Sequence, residues 1–170
     1  MLGFLFRALT AEAHRGAALF DAITAETRQP HWYVEGKAPD TIDGRFAVLS
    51  TLAALVLVRL ERLGDGGNAL SVALTERFVA VMETEHREFG IGDPKLGRTV
   101  RKLVGSLSRR VEIWRSAVAD EAAWNPAVQE SLYKAGASPD ALSHSCGATR
   151  RFWTKLEESA LTALAEGRIG

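Results

Sequence analysis

The chain carries a single cysteine, Cys146, in 170 residues. One cysteine forms no intrachain disulfide and no multi-cysteine zinc or iron–sulfur cage, which excludes a disulfide-stapled secreted domain. No Cys-x-x-Cys-His occurs, so covalent haem attachment is excluded as well. Long apolar runs are also missing. The most apolar stretch, Phe46 to Val58, is thirteen residues between Arg45 and Arg59, short of the roughly 20 that cross a bilayer as a helix. It reads as a buried core helix. Net charge is absent: 21 Lys+Arg balance 21 Asp+Glu, which disfavours nucleic-acid binding through global charge, and DNA is not an expected partner. The opening Met1-Leu2-Gly3-Phe4-Leu5-Phe6-Arg7 has no basic leader and no small-residue cleavage site. No signal peptide is expected, and Met1 to Leu9 makes at best a weak amphipathic anchor.

The residues of catalysis are scarce in the same way. There is no Gly-x-Ser-x-Gly, no Gly-rich phosphate loop after a strand and no Asp-rich diphosphate motif. The histidines are His14, His31, His86 and His144, and no two share an i, i+3 or i+4 spacing that would build a helical metal pair. His144-Ser145-Cys146 comes nearest to a ligand cluster but needs partners from elsewhere. No enzyme activity, metal or cofactor is expected.

What is present is helical. With 46% hydrophobic and 25% charged residues, the chain is an ordinary globular protein able to bury about 70% of its unfolded surface. Sustained period-2 alternation and hairpin turns are not found, whereas apolar residues recur at helical spacing. A first helix is expected from about Ala11 to Arg28, stopped by Pro30. A second opens at Asp40-Thr41-Ile42-Asp43, where Asp40 or Thr41 can cap it, and runs to Leu63. Being apolar nearly all round, it should be the central helix. Gly64-Asp65-Gly66-Gly67 reads as a break before a third helix, Asn68 to Phe89. Asp93 reads as the cap of a fourth, about Pro94 to Ala119. Further helices near Ala122 to Ala135 and Pro139 to Glu166 flank Gly136-Ala137-Ser138. The expectation is an all-α bundle of about six helices forming one domain over residues 1–170.

The fourth helix has two unlike sides. At about 100° per residue, Val100, Leu103, Val104, Leu107, Val111 and Trp114 share one arc, and Lys95, Arg98, Arg101, Lys102 and Arg109 lie opposite, around Gly105. From Lys95 to Arg115 there are seven basic residues and one acidic, while the remainder holds 14 basic against 20 acidic. Neutrality hides a strong internal asymmetry. Such a stripe can meet phosphates, anionic lipid or an acidic protein face. The plainer alternative is a solvated face paired with acids such as Glu83, Glu85 and Glu88. Two aromatic clusters, His31-Trp32-Tyr33 and Phe152-Trp153, either close the bundle or touch a partner.

Several segments together resemble the ubiquinol–cytochrome c chaperone family: Leu19-Phe20-Asp21-Ala22-Ile23, Arg28-Gln29-Pro30, and Pro39-Asp40-Thr41-Ile42-Asp43-Gly44-Arg45-Phe46. The likeness continues at Val58-Arg59-Leu60, Gly90-Ile91-Gly92-Asp93 and Gly97-Arg98-Thr99-Val100-Arg101-Lys102. It spans about residues 19–118, leaving a helical extension over about 120–170. The resemblance implies a non-catalytic assembly chaperone whose client is cytochrome b. Mitochondrial members act with a small partner protein at the ribosome. The missing leader here makes a bacterial member the expectation, peripheral on the cytoplasmic face of the inner membrane. The basic face is then a candidate contact for lipid headgroups or ribosomal RNA, and the corner of Trp32, Tyr33, Asp40, Asp43 and Arg45 a candidate client contact. A ribosome- or RNA-binding helical domain is the rival reading.

Overall fold

The structure, a computed structural model, describes residues 16–88, 90 and 92–170. The expected first-helix start at Ala11, the Met1–Leu9 anchor, His14, Phe89 and Ile91 lie outside the described residues. Among them there are seven α-helices and no strand: α1 (16–27), α2 (Ile42–Glu61), α3 (Gly64–Glu88), α4 (Asp93–Ala117), α5 (Trp124–Leu132), α6 (Pro139–Glu158) and α7 (Leu161–Ala165). Short 3-10 turns at Pro30–Trp32 and Glu121–Ala123 precede α2 and α5. The expected all-α bundle is what forms.

Helix α2 is its axis. Every residue from Ala47 to Val58 except Leu49 is buried, and α3, α4, α5 and α6 all pack on it. Its two buried hydroxyls cost little, because Ser50 donates to Phe46 O (2.7 Å) and Thr51 to Ala47 O (2.7 Å) within the helix. Around it one apolar cluster runs from Leu19 in α1 to Leu164 in α7. Phe78 meets both Phe20 and Phe46, and Trp114 meets Trp124 edge-on with centroids 5.1 Å apart.

Four boundaries depart from the sequence reading. Gly64-Asp65-Gly66-Gly67 begins α3 instead of breaking the chain. Glycine costs about 1 kcal/mol in a helix interior, but a Cβ on Gly67 would overlap the Leu60 carbonyl oxygen, so only glycine lets α3 fold this closely back on α2. The N-cap of α4 falls on Gly92, without a side-chain bond, and Asp93 opens the helix. The helix expected over Ala122 to Ala135 is a 3-10 turn followed by nine residues of α5, closed at Tyr133. The long last helix splits at Ser159, whose hydroxyl donates back to Lys155 O (2.7 Å) and accepts from Gly170 N (3.0 Å). Arg59 of α2 donates to the carbonyls of Leu156 (2.9 Å) and Glu157 (3.1 Å), satisfying the end of α6.

Candidate functional site

The corner between α1 and α2 is tied by its own backbone and rings. Trp32 is 1% exposed, with its indole N–H donating to Glu26 O (3.1 Å). It supports the corner from beneath and presents no surface to a partner. Tyr33 is half-buried and donates its hydroxyl to Thr27 O (2.8 Å), with burial raising its pKa. Arg45 stacks over the Tyr33 ring at 5.9 Å and donates to Asp40 (2.7 Å). The hydrogen bond to Asp40 and its charge raise the pKa of Arg45. Thr41, not Asp40, caps α2 by accepting from Gly44 N (3.2 Å). Asp43 sits in the first turn, 3.7 Å from Lys134, both well exposed. A Cβ on Gly44 would overlap the Pro39 carbonyl, so glycine is required where the loop crosses the helix start.

This corner is one wall of a groove of about 700 Å³. The groove brings Tyr33, Asp40, Asp43 and Arg45 together, but not Trp32. Its floor holds Phe46, Leu49, Met82 and Leu103, and Val34 and Ile42 stand at it 56% and 66% exposed. Among the described residues the only other large hydrophobic so exposed is Val72. The far wall is the end of α3, with Glu85, His86 and Glu88; His86 donates Nδ1–H to Met82 O (2.7 Å). The sequence reading missed the α3 wall, Val34 and Ile42, because the lining comes from four separate segments. An isolated valine in a loop and an isoleucine in a first turn carry no periodic signal.

The loop behind the corner is pinned to α6. Tyr133 donates its hydroxyl to Gly36 O (2.5 Å) and shares a hydrogen bond with Ser145 Oγ (2.7 Å). His31 Nδ1 lies 3.1 Å from His144 Nε2, and His31 Nε2 lies 3.5 Å from Glu26. Chain spacing hid this histidine pair, which the fold assembles across 113 residues. Desolvation, then the facing His31, lower the pKa of His144; Glu35 opposes and Arg151 adds to the lowering. Burial pushes the Cys146 thiol up. No group of three or more His, Cys, Asp or Glu among the described residues could hold a metal ion.

The basic helix is partly neutralised. Its apolar arc faces inward as expected, with Val100, Leu107 and Trp114 buried. Lys95, Arg98, Arg101, Lys102 and Arg109 are all exposed. Arg109, however, is ion-paired with Glu130 of α5, donating from Nε at 3.1 Å. Arg115 pairs with Glu61 (2.8 Å). Arg110 turns in, donates to Ser131 O (2.8 Å), and has its pKa lowered by burial. Among the described residues no ion pair involves Lys95, Arg98, Arg101 or Lys102, and Glu83, Glu85 and Glu88 do not neutralise them. Eight residues of helix, about 10 Å of rise, therefore present four cations.

The described residues thus form an all-helical bundle with a groove at the α1–α2 corner and, on α4, a run of four cations outside any ion pair. The chain belongs to the ubiquinol–cytochrome C chaperone family, which matches residues 35–169. The match continues through α5, α6 and α7, past the motifs that end near residue 118. Its fold is similar to the crystal structure of the Cbp3 homolog from Brucella abortus, at 27% identity and a TM-score of 0.80, covering 100% of this chain and 96% of that one. No curated protein matches. The family is one of assembly factors and not of enzymes, so the chain is a non-enzymatic assembly chaperone of ubiquinol–cytochrome c reductase. No helix among the described residues is long and apolar enough to cross a membrane.

Proposed function

We propose that the chain binds cytochrome b during biogenesis of the reductase and holds it through the groove at the α1–α2 corner. The observation that carries this reading is the placement of Val34 and Ile42, two strongly exposed apolar side chains, on a groove floored by Phe46, Leu49, Met82 and Leu103. Solvent contact of that kind is retained where a partner covers it. The cations of α4 then lie against anionic headgroups, making the chaperone peripheral on the cytoplasmic face of the inner membrane of a bacterium, where a polytopic client is handled.

Affinity capture of the tagged chain from detergent-solubilised native membranes, read by mass spectrometry, tests the assignment. Cytochrome b is expected to be enriched over other abundant membrane proteins and lost from the double variant Val34→Glu, Ile42→Glu. Both positions are exposed, so that variant should melt within about 2 °C of wild type. Unchanged capture by the variant removes the groove from the reading. A second reading rests on the same four cations of α4: ribosomal RNA contact through phosphates. Capture of ribosomal proteins and RNA without cytochrome b, with affinity falling steeply as salt rises, would favour it.

A further inference from the structure

The two long walls of the groove differ in charge. On the α1–α2 side Asp40 and Arg45 neutralise each other, Asp43 has Lys134 nearby, and Arg28 adds one cation. On the α3 side Glu85 and Glu88 enter no ion pair among the described residues, and both are exposed. They stand in the last turn of α3, where the outward carbonyls add a partial negative charge of their own. Arg87 shares that turn but lies outside the groove lining and, among the described residues, pairs with neither carboxylate, so the groove side of the turn carries Glu85 and Glu88 where cations are the residues favoured. Helix α4 contributes only Leu103 to the lining, so its cations stand outside the groove.

We propose that the groove receives an apolar helical segment of the client that ends in Lys or Arg. Its apolar face lies on Val34, Ile42 and Phe46, and its cationic end meets Glu85 and Glu88 and the C-terminus of α3. This deepens the client-binding reading above and rests on it. Amphipathic helices seat in apolar grooves through side chains spaced i, i+3 or i+4, and i+7, and a groove of about 700 Å³ has room for one such face. Membrane-protein segments carry their excess of Lys and Arg on the cytoplasmic side, next to the apolar span. The acidic wall beside an apolar floor is complementary to that junction. It also discriminates: a segment ending in Asp or Glu would bring like charges together.

Fluorescence polarisation with the full chain and three synthetic helical peptides decides it, the peptides sharing one apolar core and ending in Lys, Gln or Glu. The Lys-ended peptide is expected to bind about tenfold tighter than the Glu-ended one at low salt, from two exposed charge contacts against two repulsions. Glu85→Gln with Glu88→Gln should abolish the preference, and Glu85→Lys with Glu88→Lys should invert it. Circular dichroism melts of both variants check that they fold. Equal binding of the three peptides, or a preference that survives charge reversal, overturns the proposal. The two readings fail separately. If wild type captures cytochrome b while the peptides show no preference, the groove chemistry is wrong and the client stands. If it prefers the Lys-ended peptide but captures no cytochrome b, the client is wrong and the groove chemistry stands.

Discussion

Gly44 shows how one residue sets the corner. The chain turns from Pro39 into α2 so tightly that the Pro39 carbonyl occupies the space a Cβ would need, while Thr41 caps the amide of Gly44 itself. Gly44→Ala should therefore push the loop off the helix start and cost about 1–3 kcal/mol, the range for a forced overlap. Urea denaturation monitored by circular dichroism measures it, and a loss under about 0.5 kcal/mol would mean the loop moves freely. Because Tyr33 and Arg45 are held by this same loop, cytochrome b capture should fall with the stability. The sequence motif around Gly44 was visible, but its parts were not separable. Asp40 and Thr41 are both good capping residues, and only the geometry assigns the cap to Thr41 and sends Asp40 to Arg45. His31-Trp32-Tyr33 likewise read as an aromatic cluster without showing that Trp32 points into the core and Tyr33 toward the groove.

At the scale of elements, periodicity told most of the story. The all-round apolar α2 and the two-sided α4 are both where the pattern put them, because burial on one arc leaves a signature in spacing. The departures occur where a long-range contact overrides local preference. Gly64 to Gly67 are helical because Gly67 packs on the Leu60 carbonyl, and α6 stops at Ser159 with Arg59 from α2 on its last carbonyls. The charge of α4 was legible as a count and not as a surface. Arg109, Arg110 and Arg115 are engaged by Glu130, Ser131 and Glu61, which leaves Lys95, Arg98, Arg101 and Lys102 exposed and outside any ion pair among the described residues. Each cation near an anionic bilayer contributes about 1 kcal/mol. Changing all four to Gln should cut binding to phosphatidylserine vesicles at least about a hundredfold, leave neutral vesicles unaffected and leave melting unchanged. Sedimentation with vesicles at low and physiological salt reads this out. Arg109→Gln alone should leave vesicle binding within about twofold of wild type, and an effect as large as the quadruple change would contradict the division of the face.

At the scale of the whole molecule, the groove depends on contacts between segments far apart in the chain. The loop that carries Tyr33 and Val34 is fixed from behind by His31 on His144 and by Tyr133 on Gly36. One imidazole must supply the proton and the other the lone pair, so the histidine contact is lost when both are charged. The environment of His144 acts in the same direction: burial and His31 lower its pKa, Arg151 reinforces them, and Glu35 opposes. Folded His144 thus binds a proton less readily than an unfolded imidazole, whose pKa is about 6.5. Above that pH neither state takes the proton and stability is unaffected by it. As pH falls below about 6.5 the unfolded chain gains a proton that the folded chain resists, so stability declines. Between pH 7.5 and 5.5 the melting temperature should therefore drop for wild type and drop less for His144→Gln, which keeps a side chain able to hydrogen-bond His31. Carboxylates such as Glu26 and Glu35 remain in both proteins, so the difference between the two slopes isolates the histidine. Equal slopes would assign the acid sensitivity to other groups. If the slopes differ and cytochrome b capture also weakens at pH 5.5 only in wild type, the histidine contact holds the client groove in shape as well as the fold.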